Sequence, residues 1–141
     1  MSGPHLTLHL RTGRYAVSQL AAGAGIPHWA ASAQGLLSIT RREGELSIVC
    51  MEEAVPEGTK SRGGWRLLEL EGPFEFSLTG ILLSVLRPLA EAGVGIFALS
   101  TFDTDVVLVQ EVDVAKSLDS LRAAGHRIVA PRLSWSFENL L

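Results

Sequence analysis

The chain has 141 residues, of which 47% are hydrophobic, and a formal net charge of -3. This apolar share is enough for the packed core of one ordinary domain or two very small ones, so intrinsic disorder is not expected. The Lys and Arg residues are scattered through both halves of the chain. Without a concentrated basic field, a nucleic-acid partner is not expected either.

The cysteine content and the N-terminus bear on the compartment. The single cysteine, Cys50, has no partner for an internal disulfide, and its apolar surroundings indicate a small buried hydrophobe rather than a reactive thiol. The first residues lack the pattern of a signal peptide, and no window approaches the roughly 20 apolar residues of a membrane span. We therefore expect a soluble, cytoplasmic protein with no membrane partner.

The first half of the chain contains four predicted elements and a hairpin turn. Leucines alternate with polar residues over 5–11, which predicts a strand with one buried face. The Ala-rich stretch from Ala16 to Ala22 favours a short helix. Two β-prone runs, 36–40 and 45–51, flank a polar turn in which Gly44 is expected to supply a positive φ, so they predict a hairpin.

The second half begins with a predicted strand from Trp65 to Leu70 and a helix from Leu78 to Ala92. The helix has apolar residues at spacings of three and four, and Thr79 is a candidate cap. Pro88 lies inside it, which should remove one hydrogen bond and kink the helix.

The remaining elements follow in regular order. Strands are predicted at Ile96 to Leu99 and Val106 to Val109. Asp113 is expected to cap a second helix that Gly125 ends, and a last strand runs from Arg127 to Ala130.

The order β, α, β, β, α, β is typical of the ferredoxin-like α+β fold, an antiparallel sheet with two helices on one face. The first half resembles a degenerate copy, although its second helix and fourth strand are not evident from the pattern. A polar, Gly-rich stretch at 55–58 and then 60–64 reads as a loop or linker. We therefore place a degenerate unit at 1–63 and a complete unit at 64–131. The tail, 132–141, alternates apolar and polar residues and is interpreted as a strand returning to the first unit.

Several segments carry a family resemblance. In the second half these are WRLLELEGPFEFSLTGIL, PLAEAGVGIFALSTFDTD and VVLVQE, and in the first half IPHWA, LLSITRREGELSIVC and AVPEG. The chain resembles the bacterial ACT-domain proteins related to aspartokinase regulatory domains and to the cytosolic arginine sensors of animals. One departure is Val107, where relatives often carry an aromatic residue. Another is the single pair of ACT-like units, where the animal sensors have two pairs.

The resemblance implies two tandem ACT-like units, the first degenerate, and an amino acid or similar small molecule bound at an interface between such units. It also implies a homodimer that supplies the missing pair, with a further protein partner left open. Carried over by position, the ligand-binding residues are Ser77, Leu78, Thr79, Gly80, Ile81, Thr101, Phe102, Asp103, Thr104 and Asp105.

Physical chemistry gives these residues roles and alternatives. Backbone N–H groups at the start of the helix can hold a ligand carboxylate, while Asp103 and Asp105 can pair with an ammonium group. Phe102 would then pack against the carbon chain. Equally, the two aspartates are common turn residues, Gly80 is compatible with a close helix contact, and Phe102 with a core position. Glu75 is a weaker candidate for the same pocket.

Catalytic motifs are not found. The four histidines lack metal-ligand spacing, and there is no nucleophile elbow, P-loop or dinucleotide-binding glycine motif. The sequence therefore predicts no enzyme, no cofactor and no metal. The main alternative is an ACT-fold structural or interaction module without a ligand. A small-molecule enzyme with Asp103 or Asp105 as base is a third hypothesis, which requires a dry pocket.

Overall fold

The computed structural model describes residues 3–75 and 77–131. They divide into two compact units. The helix unit comprises residues 3–12 with those from Leu67 onward, and the hairpin unit comprises Gly13–Arg66. The predicted C-terminal strand at 132–141 lies outside the described residues.

The elements of the described residues run as follows in chain order: β1 (Thr7–Leu10), β2 (Tyr15–Leu20), α1 (His28–Ala31), β3 (Ser38–Arg42), β4 (Glu45–Met51), β5 (Ser61–Leu70), α2 (Ile81–Glu91), β6 (Ile96–Ser100), β7 (Asp105–Gln110), α3 (Val114–Ala123) and β8 (Arg127–Val129). Short 3-10 helices lie at Glu52–Ala54 and Glu111–Asp113. From β5 to β8 the predicted order of strands and helices is confirmed, and the chain is of the α+β class.

The sheet of the helix unit has the strand order β6, β7, β5, β1, β8. Apolar side chains of the strands lie on one face of this sheet, and α2 and α3 pack on it. Buried residues of the strands and of both helices accordingly form one core cluster. The cluster contains Leu8, Leu10, Leu68, Leu70, Val107 and Val109 from strands, Val85 and Leu89 from α2, and Leu121 from α3. Burial of these side chains is what fixes α2 and α3 on the sheet.

The position of β1 differs from the prediction, which placed residues 1–63 in one unit. β1 pairs antiparallel with β5, where Leu8 lies opposite Leu70, and parallel with β8, where Leu8 lies opposite Ile128. The first strand therefore belongs to the helix unit, because Leu8 and Leu10 are buried in its core. The β1–β8 pair also makes the sheet mixed rather than wholly antiparallel.

The hairpin unit contains β2, β3, β4 and the first residues of β5. β3 and β4 form the predicted hairpin, with Ser38 opposite Val49 and Arg42 opposite Glu45. Its core centres on four buried residues, Ala30, Leu46, Ile48 and Cys50. Burial raises the pKa of the Cys50 thiol, in agreement with its predicted role as a small buried hydrophobe.

Three local predictions in the hairpin unit are wrong. Residues 16–22 do not form a helix, because β2 pairs along its whole length with β4 and also with β5. The expected loop or linker is present at 55–58, but its second part, 60–64, is largely the start of β5, where the Gly64 N–H donates to a Glu52 carboxylate oxygen at 2.7 Å. Gly44 lacks a positive φ; a Cβ there would lie 2.9 Å from the Arg42 guanidinium, so glycine leaves room for that side chain.

The expected degenerate copy is correspondingly incomplete. α1 has 4 residues, and among the described residues of the hairpin unit it is the one α-helix.

Over 3–75 and 77–131, no helix is long and apolar enough to cross a bilayer.

The placement of β1 predicts where a mutation in it acts. Leu8→Ala should lower the free energy of unfolding by about 2–5 kcal/mol, because it opens a cavity in the core of the helix unit. Thr7→Ala, on the opposite face of β1, is the control. Amide NMR shifts should change in β5 and β8. Changes centred on β3 and β4 instead would contradict this placement.

Candidate functional site

An open groove of about 480 Å³ lies between the start of α2 and the turn that joins β6 to β7. We call it the α2 groove. It is lined by Phe74, Glu75, Leu78, Gly80, Ile81, Leu82, Leu83 and the six residues from Ser100 to Asp105. Eight of the ten residues predicted to bind a ligand are therefore brought together here; Ser77 and Thr79 do not line the groove.

Gly80 determines where α2 begins. It is the N-cap residue with φ 79° and ψ -2°, a left-handed conformation that residues with a Cβ adopt only with strain. The helix consequently starts at Ile81, three residues later than predicted, and Thr79 does not cap it. A Cβ on Gly80 would meet no atom of the chain within 4 Å, so the glycine is required by its conformation and not by helix packing.

The first turn of α2 lies at the groove. The first N–H groups of any α-helix lack intrahelical acceptors, and α2 has no side-chain hydrogen bond at its N-cap. These amides carry partial positive charge, which favours a carboxylate or another anionic group in front of them. Gly80, Ile81, Leu82 and Leu83 all line the groove at this point.

The opposite wall of the groove is a turn stabilised by two threonines. The Thr101 N–H donates to the Thr104 carbonyl at 2.7 Å, and the Thr104 N–H donates back to Thr101 Oγ1 at 3.2 Å. Side-chain hydroxyls that bond the backbone in this way are typical of tight turns. The turn is therefore defined by its own hydrogen bonds.

Two further hydrogen bonds attach this turn to the segment that leads into α2. The Phe74 N–H donates to the Asp103 carbonyl at 2.8 Å, and Thr104 Oγ1 donates to the Leu70 carbonyl at 2.7 Å. A Cβ on Gly72 would lie 2.8 Å from the same Asp103 carbonyl oxygen, so glycine is needed for this close approach. The two walls of the groove are thus held together directly.

The side chains of the groove are acidic where they are charged. Its lining by the described residues includes Glu75, Asp103 and Asp105, and no Lys, Arg or His. An oxygen of Asp105 accepts a hydrogen bond from the Ser100 hydroxyl across the hairpin. Asp105 is the first residue of β7 and thus bonds a side chain of the paired strand, while Asp103 is exposed beside it.

Three apolar side chains around the groove face solvent. Leu78 is 53% exposed, Leu83 is 54% exposed and Phe102 is 81% exposed. The alternative that Phe102 is a core residue is therefore wrong. Exposed apolar side chains grouped around one groove are typical of a surface that a ligand or a partner covers.

Some lining residues were not among the predicted ones. Phe74, Leu82, Leu83 and Ser100 flank the predicted segments directly. Leu82 and Leu83 would have been included if the helix start had been placed at Ile81 rather than Leu78. Ser100 ends β6 and lies opposite Asp105, and this position could have indicated that it lines the groove.

In the described ranges, no group of three or more His, Cys, Asp or Glu side chains is arranged to hold a metal ion.

Comparisons with known proteins give the following similarities. Residues 60–123 match the model of an ACT domain family, and residues 13–58 match that of an N-terminal domain family. A solved protein from Agrobacterium tumefaciens has 42% identity and a TM-score of 0.87, covering 92% of this chain and 96% of its own. No functionally curated protein matches.

Two more distant solved structures share the fold. A Vibrio cholerae protein of unknown function has 20% identity and a TM-score of 0.69, covering 85% of this chain and 90% of its own. The regulatory subunit of aspartate kinase from Thermus thermophilus has 12% identity and a TM-score of 0.57, with coverages of 83% and 96%.

The conformation of Gly80 predicts that alanine substitutions at two glycines of the helix unit change the free energy of unfolding by different amounts. Gly80→Ala should lower the free energy of unfolding by about 1–2 kcal/mol, since alanine is strained at this φ. Gly95→Ala, where a Cβ also meets open space but φ is not left-handed, is the matched control. Chemical denaturation of both variants measures the difference. Equal stabilities would show that α2 does not depend on a left-handed start.

Proposed function

The chain belongs to the ACT-domain family, and on that premise we propose that it is a non-catalytic regulatory module that binds an amino acid in the α2 groove. The observation that carries this proposal is the opposition of charge across the groove. Helix amides with partial positive charge lie on one wall, and acidic side chains lie on the other. An amino acid has the two complementary charged ends.

Recognition would proceed at three points. The ligand carboxylate accepts hydrogen bonds from first-turn amides of α2, and its ammonium group pairs with Asp103, with Asp105 as a second acceptor. The carbon chain lies against Leu78 and Phe102. Because the described part of the chain lines the groove with acidic but no basic side chains, we expect a zwitterionic or basic amino acid rather than an anionic metabolite.

We also propose that a second copy of the chain covers the groove. The exposed side chains of Leu78, Leu83 and Phe102 would then be removed from water. Among the described strands β6 pairs only with β7, so its other edge is open to pairing with another strand. A ligand at such an interface would favour one arrangement of the two copies and so change how a partner protein binds.

The second candidate is an interaction module without a ligand. The hydrogen bond between Ser100 and Asp105 favours it, because it gives one of the two aspartates a purely structural role. The same exposed apolar side chains would then serve association alone. The two candidates differ in whether an amino acid stabilises the protein.

Ligand binding is tested by thermal shift and calorimetry with the twenty amino acids. A ligand at 100 times its Kd should stabilise the protein by about 2.7 kcal/mol. Asp103→Asn should weaken that ligand by about tenfold or more, because it removes a charge-assisted hydrogen bond. Asp119→Asn, an exposed position on α3, is the control. Absence of stabilisation by any amino acid would contradict the proposal and favour the interaction module.

Self-association is tested separately by sedimentation. Phe102→Asp should weaken the dimer by about tenfold or more, since it places a charge where an apolar side chain is to be covered. Val112→Asp is the matched control, because Val112 is 86% exposed and does not line the groove. If both variants sediment like the unaltered protein, the α2 groove is not at a dimer interface.

A further inference from the structure

Pro88 creates an irregularity inside α2. In a regular α-helix the Ser84 carbonyl accepts a hydrogen bond from the backbone N–H four residues later, and that residue is Pro88, which has no N–H. The backbone of α2 thus lacks the donor that would normally bond this carbonyl. A polar group buried within a fold needs such a partner.

The imidazole of His126 lies at this carbonyl. His126 follows Gly125, the glycine with φ 98° after α3, and its side chain is buried, with the residue 5% exposed. Its Nε2 lies 2.8 Å from the Ser84 carbonyl oxygen. The side chain therefore takes the place of the missing backbone donor of Pro88.

The second ring nitrogen fixes the tautomer. The Leu6 N–H donates to His126 Nδ1 at 3.1 Å, so Nδ1 is an acceptor. A carbonyl can only accept, so Nε2 carries the proton. The neutral ring thereby joins the chain entering β1 to the middle of α2, and its orientation is determined at both nitrogens.

Ser84 transmits this constraint to the groove. Its N–H donates to the Gly80 carbonyl at 3.0 Å, and its hydroxyl donates to the Ile81 carbonyl at 2.6 Å. Gly80 and Ile81 both line the α2 groove. The imidazole is therefore linked through Ser84 to the carbonyls of Gly80 and Ile81, and the peptide groups of these carbonyls also contain amides assigned to the ligand carboxylate.

We propose that His126 is a positioning residue for the α2 groove: its Nε2–H replaces the donor that Pro88 lacks and fixes the start of α2. The link from α2 to ligand affinity rests on the proposed function, whereas the fixing of α2 does not. Pro88 and His126 then act as a pair. The proline leaves the Ser84 carbonyl without a backbone donor, and the histidine, which lies outside the helix, donates a hydrogen bond to that carbonyl.

A double-mutant cycle tests this pairing. His126→Leu should raise the amide hydrogen-exchange rates of Ser84 and Val85, whose N–H groups donate to the first carbonyls of α2, about tenfold, the loss expected for one buried hydrogen bond. Pro88→Ala in the same chain should reverse most of this increase, because the alanine would supply the missing N–H within the helix. His28→Leu, at an exposed histidine of α1, is the control and should leave these rates unchanged.

Two measurements keep the test decisive. In the unaltered protein, nitrogen-15 shifts of the His126 ring should show a proton on Nε2 and none on Nδ1. His126→Gln, which keeps a side-chain N–H donor, should leave the exchange rates closer to the unaltered protein than His126→Leu does. A proton on Nδ1, or failure of Pro88→Ala to reverse the effect of His126→Leu, would overturn the proposal.

Ligand affinity is measured on the same variants with L-lysine as the probe. Its Kd should rise about tenfold in His126→Leu and return towards the original value when Pro88→Ala is added. An unchanged Kd in His126→Leu would overturn the positioning role. Absence of L-lysine and other amino-acid binding in the unaltered protein would count against the proposed function instead, and the exchange rates would still decide whether His126 fixes α2.

Discussion

The groove depends on the contact between the turn that joins β6 to β7 and the segment that joins β5 to α2. The Phe74 N–H bonds the Asp103 carbonyl, Thr104 Oγ1 bonds the Leu70 carbonyl, and Gly72 has no Cβ to prevent this approach. Each such hydrogen bond contributes only about 0.5–1.5 kcal/mol to stability. Their larger effect is geometric, because they hold the acidic turn opposite the amide end of α2.

The second half of the fold could be predicted from sequence because its apolar residues have a clear period. In the first half the β3–β4 hairpin and the strand character of β1 were predictable, and the rest was not. The Ala-rich stretch 16–22 was predicted as a helix, but most of it forms β2, and that conformation is set by pairing with β4 and β5, which no local pattern reveals. The same holds for β1: its alternation predicts a strand, but not that the strand lies between β5 and β8.

The candidate site was predicted as two segments, and the structure brings most of their residues into one groove. What the sequence could not indicate was the conformation of individual residues. The left-handed Gly80 moves the helix start to Ile81, and the exposure of Phe102 separates it from the core. Pro88 was evident as an irregularity, but its partner His126 comes from another part of the chain and is evident only from the fold.

The central claim is that an amino acid binds between the start of α2 and the turn after β6. A nitrogen-15 amide titration of the unaltered protein with L-lysine, L-arginine and the remaining amino acids tests it most directly. The account predicts saturable shifts at the amides of residues 80–83 and 101–105 for at least one of them. Saturable shifts confined to the hairpin unit, or none with any amino acid, would contradict it.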